Sequence, residues 1–233
     1  MKFKLWAGII SLALSAVSFA EAQVSPDADT KNDKSKFDAD YLKRAGTFLS
    51  NFTEVRIFNY TRQQLIDDKD MLVHFAVRHN WINNPKYFEM DPKCTNTDSI
   101  PEYCYTKGNV LISVSKLPAV TKRYLDYDMK EFPTVTDYTY EDGHYRSVAA
   151  DGDAAAQVNL TEAERDEDGL VVLKGTITYP DCDDCIDPDN PPQVTAKLAE
   201  RVYKGKDYWT FMSLEVTGLE PPPAPDEDPD QDD

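Results

Sequence analysis

The hydrophobic periodicity of the chain changes near Tyr138, and this change constrains the fold more than any other feature. Before it, apolar residues recur every three or four positions, which is typical of amphipathic helices. After it they alternate, which is typical of half-buried strands. The strand candidates of this second half are 144–149, 154–162, 169–179, 194–203 and 208–216. Turn residues separate them, so the sequence predicts helices followed by an antiparallel meander.

The clearest helix candidate is the stretch 67–84. Within it, Leu72, Phe75, Ala76 and His79 recur at i, i+3, i+4 and i+7 and share one face. Two aspartates begin the stretch, and asparagines end it just before a proline, as expected for a capped helix. We therefore expect a central helix with one apolar stripe.

Two further helix candidates, 37–52 and 115–124, and a β-branched strand candidate at 110–114 complete the first half. The predicted fold class is α+β, with about three helices packed on a curved antiparallel sheet of five to six strands. This order of elements is similar to that of NTF2-like cone domains. An open α+β sandwich with helices on one sheet face is the alternative.

The two ends of the chain are predicted to lie outside the folded domain. Residues 1–22 resemble a secretory signal, because two lysines precede an apolar run that is shorter than a membrane span. The segments 23–36 and 219–233 are polar, and we expect disorder there. This leaves a single domain at 37–218. The mature protein is expected to be periplasmic or secreted, without membrane insertion, and an uncleaved N-terminal anchor is the alternative.

The net charge of −17 excludes some partner classes. Loss of residues 1–22 would change it to −18, because Lys2, Lys4 and Glu21 would leave. Such a chain repels nucleic acids and anionic membranes. A basic protein partner or a small ligand remains compatible. The sequence shows no cofactor motif, and we predict no cofactor.

Four cysteines in a chain with an export signal indicate disulfides. Local pairing would join Cys94 to Cys104 and Cys182 to Cys185, and cross-pairing of the two loops is the alternative. The spacing of Cys182 and Cys185 also fits a thiol–disulfide redox site. The acidic residues around them oppose a thiolate, which favours a structural disulfide.

His79 is the main candidate for a catalytic or ligand-binding residue, because it lies on the apolar stripe of the central helix. In a pocket it would act as an acid or base, with Asn83 orienting a ligand. The alternative is a core histidine bonded to the backbone. Asp151, in an Ala-Asp-Gly-Asp turn, is a candidate pocket carboxylate, with a simple tight turn as the alternative.

A cluster of aspartates near the second cysteine pair is a candidate calcium site. It lacks the glycine and the terminal glutamate of the EF-hand spacing, and a solvated acidic loop is the alternative. The candidate ligands are Asp181, Asp183, Asp184, Asp187 and Asp189.

Several segments of the chain also resemble a group of exported bacterial proteins and lipoproteins of unknown function. They include LVHFAVRHNWIN, YRSVAADGDAAAQV and AERVYKGKDYWTFMSLEV, and the resemblance covers most of 45–217. The chain departs from the pattern at Tyr124-Leu125, where Tyr-Phe is expected. The resemblance implies a helix ending in His-Asn, two C-terminal hairpins and a bacterial envelope setting, but no activity.

Together these features predict an exported, non-catalytic domain that binds a protein or a small ligand. One alternative is a pocket enzyme that uses His79 as an acid or base. A second is a thiol–disulfide protein that uses Cys182 and Cys185.

Overall fold

The computed structural model describes residues 37–95, 100–148, 155–180, 182, 186–187, 189–203 and 206–219. All of them belong to one unit of the chain. The predicted signal at 1–22, the segment 23–36 and, apart from Leu219, the tail 219–233 lie outside the described residues.

The described residues form five α-helices and nine β-strands. The helices are α1 (Ala39–Thr53), α2 (Arg62–Asp67), α3 (Lys69–Asn83), α4 (Tyr103–Thr106) and α5 (Leu117–Leu125). The strands are β1 (Tyr60–Thr61), β2 (Phe88–Met90), β3 (Val110–Ser113), β4 (Thr139–Glu141), β5 (His144–Ser147), β6 (Gln157–Arg165), β7 (Val171–Thr178), β8 (Gln193–Tyr203) and β9 (Lys206–Thr217). None of these helices is long and apolar enough to cross a bilayer.

The strands pair into two antiparallel sheets, whereas the sequence pattern predicts one. A five-stranded sheet has the order β1-β9-β8-β7-β6, and a four-stranded sheet has the order β2-β3-β5-β4. The α+β class and the antiparallel pairing are therefore confirmed. The candidate at 144–149 leaves the predicted meander and pairs with the separate candidate at 110–114, with Ile112 opposite Tyr145.

The central helix α3 lies between two hydrophobic cores. Leu72 and Phe75 belong to the core of the five-stranded sheet, whereas Val73 and Val77 belong to the core of the four-stranded sheet. The expectation of a single apolar stripe was incomplete, because a helix packed on two sides is apolar around most of its circumference.

A bulge in β9 corrects the predicted alternation of that strand. Lys197 pairs with Ser213 and Leu198 pairs with Phe211, so Met212 is the extra residue. The inserted residue reverses the faces beyond it. Phe211 and Leu214 are therefore both buried in the same core, although simple alternation placed them on opposite faces.

Helix α1 covers part of the free edge of β6. Ser50 Oγ accepts a hydrogen bond from the Val158 amide at 3.0 Å, and Thr53 Oγ1 donates one to the Ala156 carbonyl at 2.5 Å. Gly46 permits this approach, because a Cβ there would lie 2.6 Å from the Val158 carbonyl oxygen. The helix thus protects a sheet edge that would otherwise be open to pairing.

The predicted cap of the central helix is confirmed. Asp68 accepts a hydrogen bond from the Met71 amide at the start of α3. Thr61 and Gln64 form a capping box at the start of α2.

Candidate ligand-binding site

The outer face of the four-stranded sheet carries a polar site. Along β5, Tyr145 points inward and is fully buried, so its neighbours His144 and Arg146 lie on the opposite face. Leu111 of β3 pairs with Arg146 and shares that face. These three side chains form the floor of the site.

A loop between β2 and β3 folds back against this face. Cys94 and Cys104 are joined by a disulfide that closes the loop. Local pairing of this cysteine pair is thereby confirmed, and the cross-paired alternative is wrong. The loop contributes Asp91 and Tyr103 to the site.

Arg146 is the centre of the site and is only 6% exposed. Its Nη1 donates to Asp91 Oδ2 at 2.8 Å and to the Gly108 carbonyl at 3.1 Å. The guanidinium carbon lies 4.6 Å from the centre of the Tyr103 ring, which is a cation–π contact. Its Nη2 lies 3.5 Å from Glu141 Oε2, which is a long contact. The buried Nε makes no hydrogen bond to any described residue.

Asp91 is the buried counter-ion of Arg146. Burial by itself raises the pKa of this carboxyl. Hydrogen bonds from the Lys93 amide and from Arg146 together lower it by more, so the pKa lies below its ordinary value. The Tyr103 hydroxyl donates to the same carboxylate at 3.3 Å. Asp91 therefore stays ionised at neutral pH and holds the loop to the sheet.

Above this floor is an open cavity of about 270 Å³. Its rim carries the exposed side chains of Lys93, Lys107, Glu141 and Asp142. Neither lysine forms an ion pair within the part of the chain that the structure describes. The cavity lining comprises Asp91, Lys93, Tyr103, Lys107, Leu111, Glu141, Asp142, His144 and Arg146.

His79, the main candidate from the sequence, lies elsewhere. It is 5% exposed and packs edge-on against the Tyr124 ring, with ring centres 4.8 Å apart. Burial, with a smaller contribution from the Arg123 charge, lowers the pKa of His79 to about 4. Asn83 Nδ2 lies 3.3 Å from His79 Nδ1, so the structure brings these two predicted residues together.

The surroundings of His79 are those of a packed core residue. His79 does not line the cavity on the four-stranded sheet. It also does not line either of two further cavities, which lie beside α1 and β6. At neutral pH the imidazole is uncharged, because its pKa is far below 7. Asp151, the third predicted site residue, lies outside the described residues.

Only part of the predicted acidic cluster is described. Asp187 and Asp189 are exposed and form a local turn, in which Asp187 Oδ1 accepts from the Asp189 amide at 2.9 Å. Asp181, Asp183 and Asp184 lie outside the described residues. Among the described residues, no group of three or more acidic, histidine or cysteine side chains is placed to hold a metal ion.

The second cysteine pair is described at one position. Cys182 is half-buried and disulfide-bonded, and Cys185 lies outside the described residues. The thiol–disulfide alternative stays a hypothesis.

Two larger cavities, of about 480 and 460 Å³, lie along β6 and α1. The first contains Lys174, whose ammonium pairs with Glu162 and Glu164 within 4.0 Å. It borders Phe37, the first described residue, and nothing described shows what covers this groove. Neither cavity contains a buried charged side chain, which distinguishes the Arg146 site from both.

Sequence reasoning missed the residues that form the Arg146 site. Asp91 and Arg146 are far apart in the chain and belong to no motif. One signal was available, because alternation in the His144–Ser147 segment places Arg146 opposite the buried Tyr145. That pattern predicts an outward arginine, but not the loop that buries it.

No protein-family model matches this chain, and no curated protein or solved structure is detectably similar to it. The NTF2-like topology and the resemblance to exported bacterial proteins therefore stay predictions.

Proposed function

We propose that this protein is a non-catalytic, extracytoplasmic binding domain that holds a small polar ligand in the cavity on the four-stranded sheet. The observation that carries the proposal is the buried Arg146 on the cavity floor. A buried charge is costly unless it is paired, and its guanidinium is fixed by Asp91, Gly108 and Tyr103 before any ligand arrives. A preorganised polar floor reduces the cost of binding.

The size and composition of the cavity support a small ligand. About 270 Å³ is slightly below the range of typical drug-sized pockets. Leu111 gives the floor one apolar contact, and charged groups surround it. The described site contains no nucleophile activated by a neighbouring base, which favours binding over catalysis.

The proposed location outside the cytoplasm rests on two features. The first is the predicted signal at 1–22, and the second is the Cys94–Cys104 disulfide that closes the binding loop. Disulfides persist in oxidising compartments.

Native mass spectrometry tests the proposal with a variant that fills the cavity. The protein is purified from its own compartment and then incubated with a panel of small polar metabolites. We expect retained ligand mass on the wild-type protein and its loss in Leu111→Trp, because the indole would occupy the floor without touching the core.

The matched control is Val172→Trp, which enlarges a half-buried aliphatic residue in the cavity beside β6. It should retain the ligand. Loss of ligand in Val172→Trp alone would place binding beside β6 and contradict the proposal. Absence of any retained compound on the wild-type protein would contradict it as well.

A further inference from the structure

One edge of the Arg146 guanidinium lacks a close partner among the described residues. On the other edge, Nη1 donates to Asp91 Oδ2 at 2.8 Å and to the Gly108 carbonyl at 3.1 Å. Nη2 has only the 3.5 Å contact to Glu141, and the buried Nε bonds to no described residue. The Nε–H and one Nη2–H of an arginine point in the same direction, as a fork of two parallel donors.

This fork is a costly feature unless something fills it. A buried donor without an acceptor destabilises a folded protein, and nearly all such donors are satisfied. Arg146 is only 6% exposed, so little solvent reaches it. Its side chain nevertheless lines the cavity on the four-stranded sheet. An acceptor with two oxygens would satisfy both donors at once.

Glu141 is the described side chain that contacts the fork. It lines the same cavity, and 59% of its side chain is exposed. A carboxylate at 3.5 Å, on a side chain that is mostly in solvent, is held weakly. Glu141 can therefore turn into solvent without disturbing a core residue, and this movement would uncover Nη2.

We infer that the cavity binds the carboxylate of a small monocarboxylic acid on the Nε and Nη2 edge of Arg146, in exchange for the Glu141 side chain. Two carboxylate oxygens match the two parallel donors, and bidentate pairs of this kind are among the strong hydrogen-bonded contacts of proteins. Leu111 provides an apolar contact for the rest of the ligand.

The charges around Arg146 favour a ligand with one negative charge. Asp91 already balances the guanidinium, and Glu141 adds a second carboxylate. When Glu141 turns away, a monocarboxylate restores the same local charge, whereas a dianion adds a further negative charge near Asp91. This inference rests on the proposed function and goes further by naming the ligand class.

The test is an NMR titration of the full chain with propionate, propionamide and inorganic phosphate, at pH 7 and constant ionic strength. Propionamide has the shape of propionate without its charge, and phosphate is an oxyanion with more than one charge. We expect saturable, millimolar binding of propionate, since the probe is so small. The Arg146 Nε–H signal, assigned through its bonds to the rest of the side chain, should shift because Nε gains an acceptor.

The other two probes should bind about fivefold more weakly, because propionamide lacks the charge and phosphate carries too much of it. Equally tight binding of phosphate would identify a general oxyanion site. Equally tight binding of propionamide would identify a site for a neutral acceptor. Either result overturns the carboxylate assignment, although the proposed binding function would stand.

Glu141→Gln tests the exchange. It keeps the size of the side chain but removes the competing charge, so propionate should bind about two- to fivefold more tightly. The matched control is Asp142→Asn, which removes one negative charge at the next position of the same rim. Its effect should be smaller. An equal gain in both variants would mean that general repulsion alone is at work, and a weaker affinity in Glu141→Gln would make Glu141 a ligand contact; both results overturn the exchange.

Arg146→Lys tests the fork, because it keeps the charge but replaces two parallel donors by one ammonium group. We expect propionate affinity to fall at least about tenfold, with circular dichroism reporting whether the variant is folded. Unchanged affinity in the folded variant would overturn the inference. If the variant does not fold, Glu141→Gln and the Nε–H signal decide the matter.

Failure of this inference differs from failure of the proposed function. If propionate does not bind but another retained compound is lost in Leu111→Trp, the ligand class is wrong and the binding function stands. If nothing binds at this cavity, both proposals fail.

Discussion

His79 shows how burial changes the behaviour of one side chain. Its pKa of about 4 in the folded protein lies below its ordinary value of 6.5. Between these pH values the unfolded chain binds a proton that the folded chain excludes. The free energy of unfolding therefore falls as the pH is lowered from 6.5 to 4, and His79 contributes no pH dependence above 6.5.

We predict that His79→Gln removes this part of the pH dependence. One pKa unit corresponds to 1.36 kcal/mol, so the part removed is about 3 kcal/mol between pH 6.5 and 4. Urea unfolding at several pH values measures it. His144→Gln, a half-exposed histidine on the outer sheet face, controls for the substitution itself. A slope unchanged by His79→Gln would contradict the buried, neutral histidine.

Arg146 and Asp91 form a pair whose members depend on each other. Arg146→Met would leave the buried Asp91 carboxylate without its main counter-ion, and we expect destabilisation of about 3–5 kcal/mol. Adding Asp91→Asn should recover part of this loss, because the uncompensated charge disappears. Denaturant unfolding of the single and double variants measures the coupling.

The control for this pair is Lys174→Met, because Lys174 pairs with exposed glutamates at 3.9–4.0 Å. Such surface pairs contribute at most about 1 kcal/mol. If Arg146→Met costs no more than Lys174→Met, then Arg146 is not the structural centre of the site.

Among the elements, α1 and β6 show why a helix tolerates an unfavourable glycine. Gly46→Ala should gain about 1 kcal/mol of helix propensity. The new Cβ would nevertheless lie 2.6 Å from the Val158 carbonyl oxygen and force α1 away from the strand. We expect net destabilisation of about 1–3 kcal/mol, measured by thermal unfolding.

Thr47→Ala is the matched control on the exposed face of the same helix. Its effect should stay within about 0.5 kcal/mol in either direction. A stabilising Gly46→Ala would mean that α1 does not approach β6 as closely as the structure places it.

The disulfide-closed loop is the second element with a testable role. Cys94 and Cys104 are ten positions apart, and replacing both by serine should cost about 3 kcal/mol of stability by the loop-entropy estimate. Because this loop carries Asp91, Tyr103 and both rim lysines, the replacement should also weaken ligand binding. Tyr105→Ser, at an exposed position of the same loop, should leave stability and binding unchanged.

At the scale of the whole unit, α3 connects the two sheets. Because its side chains belong to both cores, we expect the two sheets to unfold in one cooperative transition. Two tryptophans report on them separately. Trp209 bonds the Tyr41 hydroxyl beside the five-stranded sheet, and Trp81 packs on Phe88 of the four-stranded sheet, 4.7 Å between ring centres.

Single-tryptophan variants test this coupling. In a Trp6→Phe background, Trp81→Phe leaves Trp209 as the only reporter, and Trp209→Phe leaves Trp81. In each variant, the urea midpoint measured by fluorescence should coincide with the midpoint measured by circular dichroism. The circular dichroism midpoint accounts for the stability of that variant, so the two variants can then be compared. Separate transitions by fluorescence and circular dichroism within one variant would mean that the two sheets fold independently.

Local spacing by itself determined most of the elements. The positions of α1, α3, α5 and the long strands follow from helical and alternating periods, and the capping box at Thr61 follows from two residues three positions apart. These features depend on neighbours within a few residues, which a sequence displays directly. The sequence also predicted a local cysteine pairing, although it left the cross-paired alternative open.

Only the tertiary structure decided how these elements are divided between the two sheets and the two cores. The split into two sheets, the burial of α3 on two sides and the extra residue Met212 all depend on pairing between distant segments. The same holds for the candidate site, where Asp91 and Arg146 meet because a loop folds over a sheet face. Periodicity describes which residues are buried, whereas register and packing partners decide what they contact.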